Sequence, residues 1–73
     1  MRLLLNMTLI EAYSILEIDP YVNETILKEN YRWLVKFYHP DNMISGDTFE
    51  FQKIIKAYNI IKLDRLNGNQ ISK

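Results

Sequence analysis

Tyr31-Arg32-Trp33-Leu34-Val35-Lys36-Phe37-Tyr38-His39-Pro40-Asp41 decides how the rest of the chain is read, because within it a helical pattern runs into a proline. Leu27, Tyr31, Leu34 and Tyr38 recur at i, i+4, i+7 and i+11. At about 100° per residue they fall within about 60° of one another, while Lys28, Arg32 and Lys36 form a separate stripe. The segment therefore predicts a helix with a core face and a basic face. Pro40 ends it, since proline lacks an amide donor and pushes His39 out of helical geometry. Asn23 is its expected N-cap, with Glu24 in the first turn, where a negative charge suits the helix dipole.

On the N-terminal side, Thr8-Leu9-Ile10-Glu11 has the form of a capping box, in which threonine and glutamate each take up a backbone amide at the start of a helix. Leu9, Tyr13 and Leu16 share one face, and Asp19-Pro20 closes the segment, so a first helix is expected over about 9–16. On the C-terminal side, Asp41-Asn42 and Ser45-Gly46-Asp47 are turn formers. Phe51, Ile54, Tyr58 and Ile61 then predict a third helix over about 48–63. The short loop makes the second and third helices antiparallel neighbours. One domain is expected over 8–66, with flexible termini at 1–7 and 67–73.

Composition narrows the function. With 48% apolar and 25% charged residues in 73, the chain is an ordinary globular domain, and its stability must come from packed helices because it has no cysteine to form disulfides or a thiolate metal site. The absence of cysteine also removes any sign of an oxidising compartment, which leaves the cytoplasm as the default location. Nine basic residues balance nine acidic ones, which argues against a nucleic-acid grip. A helix-turn-helix reading fails for the same reason and because the third helix is too apolar to read bases. No stretch approaches the roughly 20 apolar residues of a membrane span. One histidine, no Gly-rich phosphate loop and no clustered carboxylates supply neither a metal site nor a nucleophile with its base. The chain is thus expected to be a monomeric interaction module, with no enzyme activity, metal or cofactor of its own.

His39-Pro40-Asp41 by itself is ordinary stop-and-turn chemistry. Its setting is more specific. The stretch 31–41 resembles the signature of the J-domain, or DnaJ-like, co-chaperones. Ala12-Tyr13-Ser14-Ile15-Leu16-Glu17-Ile18 is similar to the opening segment of that family, and Phe51-Gln52-Lys53-Ile54-Ile55-Lys56-Ala57-Tyr58-Asn59-Ile60-Ile61 to its third helix, so the resemblance covers 11–62.

The resemblance implies an all-α J-domain fold: an antiparallel hairpin of the second and third helices with the short first helix packed across it. The family's fourth helix is not recognisable after Leu63 and is expected to be absent or rudimentary. It also implies a function, docking on a DnaK-type chaperone and stimulation of its ATP hydrolysis. His39, Pro40 and Asp41 match the signature triad, with Pro40 fixing the loop and Asp41 able to pair with a partner arginine. Lys28, Tyr31 and Arg32 match contact positions on the second helix, Lys36 continues the basic stripe, and Asn42 and Phe51 fall where the loop and the third helix make contacts. Read from the residues alone, the three basic side chains are a solvated helix face, and Tyr31 and Phe51 belong to the apolar stripes.

Four departures from the family pattern stand out. Trp33 and Phe37 occupy positions where lysine or arginine is common, Glu17 stands where a glycine is usual after the first helix, Asn42-Met43 replaces a basic residue plus asparagine, and the loop to the third helix is short. Ile26, Trp33 and Phe37 form a second apolar strip. Burial against the first helix, burial against parts of a longer parent protein, and a surface for an adaptor partner are all open for it. The alternative function is accordingly a J-like adaptor with weak or no chaperone activation.

Overall fold

In the computed structural model, which describes residues 7–68, each helix starts where a short polar side chain takes up a free backbone amide. Helix α1 (Leu9–Ile15) opens on the capping box: the Glu11 amide donates to Thr8 Oγ1 at 3.1 Å, and the Thr8 amide donates to Glu11 Oε1 at 3.0 Å. Helix α2 (Glu24–Tyr38) is capped by Asn23, whose Oδ1 accepts from the Ile26 amide at 3.0 Å. Helix α3 (Thr48–Leu66) is capped by Asp47, whose Oδ1 accepts from the Glu50 amide at 3.1 Å. Apart from Met7, Asn67 and Gly68, the termini expected to be flexible lie outside the described residues.

The fold is all-helical, and among the described residues it has three helices and no strand. Helices α2 and α3 run antiparallel, as contacts along their length show. Lys62 Nζ lies 3.8 Å from Glu24 Oε2, the rings of Tyr31 and Tyr58 stack with centroids 3.8 Å apart, and the Asp47 amide donates to the Tyr38 carbonyl at 3.0 Å. Both α1 and α2 pack on α3, so α3 is the shared element. The backbone of α1 does not closely approach that of α2, and the two are joined by the Asn30 amide group, which donates to the Leu16 carbonyl. The first helix therefore braces the hairpin mainly through α3.

The core consists of Ala12, Tyr13 and Leu16, Leu27 and Leu34, and Ile54, Ala57 and Ile61. Tyr31, Tyr38 and Tyr58 pack against its edge as partly buried side chains. Two alanines, Ala12 on α1 and Ala57 on α3, are fully buried. The buried residues of α3, Ile54, Ala57 and Ile61, share one face, whereas Phe49, Leu63 and Leu66 leave apolar surface exposed on its other sides.

Helix α3 runs three residues past the end expected from the sequence, and its last turn is held by Arg65. That side chain is only 9% exposed. It donates to Tyr13 Oη at 3.2 Å, to Glu24 Oε1 at 3.3 Å, and to the carbonyls of Pro20 at 3.4 Å and Val22 at 2.9 Å. One guanidinium thus joins α1, the connection after it, the start of α2 and the end of α3. Among the described residues no buried side-chain nitrogen or oxygen lacks a hydrogen-bond partner. None of the described helices is long and apolar enough to cross a membrane.

Candidate functional site

The end of a helix leaves its last four carbonyls without intrahelical partners. In α2 the following loop supplies them. The Asn42 Nδ2 amide donates to the carbonyls of Lys36 and Phe37, both at 3.3 Å, Ser45 Oγ donates to Phe37 as well, and the Asp47 amide takes Tyr38. The other end of the Asn42 side chain faces the loop, where Oδ1 accepts from the amides of Ile44 at 3.1 Å and Ser45 at 3.2 Å. Asn42 therefore ties the loop to the last turn of α2 and acts as its brace.

His39-Pro40-Asp41 sits on this brace. The Asn42 amide donates to the His39 carbonyl at 2.8 Å, closing a turn with Pro40 at its second position, where the fixed φ of proline suits the backbone. His39 Nδ1 accepts from the Asp41 amide at 3.0 Å. An accepting Nδ1 carries no proton, so the neutral ring in this arrangement has its proton on Nε2. The Asp41 carboxylate comes no closer than 3.9 Å to Nδ1, beyond hydrogen-bond reach, and is 95% exposed. The loop thus holds its backbone and its imidazole while leaving one carboxylate in water.

Phe51, on the first turns of α3, meets the His39 ring edge-on at 5.1 Å and 65° and is partly buried, so it supports the imidazole from behind. Tyr31 is likewise partly buried, stacked on Tyr58, and burial first and the neighbouring Tyr58 second push its phenol above its ordinary pKa. Tyr31 thus packs against the core edge, while Phe51 is partly buried beside the triad.

Lys28, Arg32 and Lys36 are exposed at successive turns of α2 and form no ion pair among the described residues. Their stripe leads along the helix to the triad loop. The adjacent strip is also open: Trp33 is 61% exposed, and its ring stacks on Phe37 with centroids 5.1 Å apart and planes 8° from parallel. Burial of this strip against α1 is therefore ruled out. Sequence reasoning missed the parts played by Ser45 and Asp47, which were read only as turn formers. Among the described residues no three metal-ligating side chains cluster.

Residues 11–66 match the DnaJ domain family. The chain is 43% identical over 55 residues to the chaperone protein DnaJ of Rickettsia bellii (strain RML369-C), a match covering 71% of this chain and 15% of that protein. It is 41% identical over 51 residues to protein SIS1 of Saccharomyces cerevisiae, covering 70% of this chain and 14% of that one. With the chaperone protein DnaJ of Oceanobacillus iheyensis it shares 37% identity over 56 residues, 75% of this chain and 15% of the relative. The matches thus span about one seventh of each relative. No solved structure matches.

Proposed function

This chain belongs to the J-domain family, and from that premise we propose that it docks on a DnaK-type chaperone through His39-Pro40-Asp41 and the basic face of α2, and stimulates ATP hydrolysis by that partner. The ATP chemistry belongs to the partner. The observation that carries the reading is the Asp41 carboxylate, 95% exposed on a loop whose backbone is already hydrogen-bonded. A carboxylate so placed can accept a charge-assisted, two-pronged contact from a partner arginine. Because the loop is ordered beforehand, little conformational entropy is lost on docking. Lys28, Arg32 and Lys36, without an ion pair among the described residues, would meet an acidic surface and speed encounter with it.

Single-turnover ATP hydrolysis by a DnaK-type chaperone, with and without this chain, tests the proposal. Wild type is expected to accelerate hydrolysis and His39→Gln to lose most of the effect, with circular dichroism establishing that both are folded. His39→Gln removes the ring that Phe51 supports and replaces the Nδ1 acceptor by a flexible amide. No acceleration by folded wild type with several such chaperones would overturn the reading. It would favour the adaptor alternative, for which the exposed Trp33–Phe37 stack is the supporting feature.

A further inference from the structure

Gly46 occupies a point on which the triad loop closes. A β-carbon added there would lie 2.5 Å from the carbonyl oxygens of both His39 and Asn42, and 3.1 Å from that of Pro40. Carbon normally meets a carbonyl oxygen at roughly 3.3–3.6 Å. All three oxygens belong to the backbone, so no side-chain rotation relieves the overlap and the turn itself has to move. Gly68 offers a contrast, since a β-carbon there would meet nothing within 4 Å. The backbone of Gly46 does not have the positive φ that Gly68 has, so what glycine provides at 46 is space.

The oxygens that crowd Gly46 are also those that hold the loop. The His39 carbonyl accepts from the Asn42 amide at 2.8 Å, and the Asn42 carbonyl accepts from the Gly46 amide at 2.8 Å. Moving either one disturbs the turn that carries Pro40 and Asp41. We infer that Gly46 is a positioning residue for the triad: its bare α-carbon lets the His39, Pro40 and Asn42 carbonyls converge, and this closure sets how His39 and Asp41 are presented. The inference deepens the chaperone-docking proposal and rests on it for its functional half. Gly46 need touch no partner, and the basic stripe of α2 is left as it is by any change there.

The test compares wild type, Gly46→Ala and Ser45→Ala in amide spectra and in single-turnover chaperone assays. Ser45→Ala removes the hydroxyl contact with Phe37 but leaves the space at 46 open. In Gly46→Ala, amide resonances across residues 39–47 are expected to shift, and exchange of the Asn42 amide to quicken by about tenfold or more, with the α2 and α3 amides unchanged. Maximal stimulation is expected to fall by about fivefold or more, while the concentration giving half of it changes by less than about threefold, because the α2 contacts persist. Ser45→Ala is expected to move the amides beside the lost Phe37 contact, while exchange of the Asn42 amide and maximal stimulation stay within about twofold of wild type.

Unchanged loop amides in Gly46→Ala, full stimulation by it, an equal loss in Ser45→Ala, or unfolding of α2 and α3 would each overturn the inference. Should wild type itself fail to stimulate, the docking proposal falls, and the amide spectra alone then decide whether Gly46 positions the loop.

Discussion

Between α1 and α2 the chain is fastened from a distance, whereas between α2 and α3 it fastens itself. The first connection has a local turn at Asp19, which takes the amides of Tyr21 and Val22, but it is tied to the helices by Arg65, which reaches back from the far end of α3 to the Pro20 and Val22 carbonyls, and by Asn30, which holds the Leu16 carbonyl from α2. The second is closed by His39, Asn42, Ser45, Gly46 and Asp47 acting on one another and on the last turn of α2. A connection stitched by another helix cannot change without disturbing the core. One that closes on its own backbone can carry function and still leave the helices intact.

Breaking the long-range stitch should have the largest effect on stability. Arg65→Ala strands two carbonyls and removes a nearly buried guanidinium with its Glu24 pair, and is expected to cost about 2–4 kcal/mol in urea denaturation. A loss below about 1 kcal/mol would mean that the first connection stands without its clamp. Asn42→Ala should cost less overall, about 1 kcal/mol, with quicker exchange confined to the Ile44 and Ser45 amides. Protection lost equally at Leu27 and Ile61 would erase the distinction between the two connections.

The smallest effect sharpens the comparison. After α1 the amides of Glu17 and Ile18 donate to the carbonyls of Ser14 and Tyr13, a closing pattern that puts Glu17 in the left-handed region at φ 58°. After α3 the corresponding position is Gly68, at φ 74°. Glu17→Gly is expected to raise stability by about 0.5–1 kcal/mol, seen as a rise of a few degrees in Tm. An unchanged Tm would show that the glutamate is compensated where it stands.

Features legible in the sequence were those set by neighbours a few residues apart. Thr8 with Glu11, Asn23 and Pro40 marked helix boundaries because caps and breakers act within one turn. The turn at the triad was legible in the same way, at the end of an amphipathic helix, whereas a role for it came only from the resemblance of residues 31–41. Arg65 was not, because its partners lie 41 to 52 residues away and two of them are main-chain carbonyls, which every residue has. For the same reason the end of α3 was placed too early. The buried alanines Ala12 and Ala57 carry no signal in an apolar pattern that favours larger side chains, and of the tyrosines on the apolar faces Tyr13 is in the core while Tyr31, Tyr38 and Tyr58 lie at its margin. The closure at Gly46 depends on three carbonyl positions, and a sequence does not list those.

Trp33 is the single tryptophan of the chain, and it stands in solvent on the face of α2 beside the basic stripe. Its indole is thus largely in water in the folded protein, with one face against Phe37. Denaturation is therefore better followed by backbone dichroism, which reports the helices directly. A partner that covered this face would exclude water from the ring and move its emission to shorter wavelength. The molecule thus carries a built-in optical reporter for occupancy of one face.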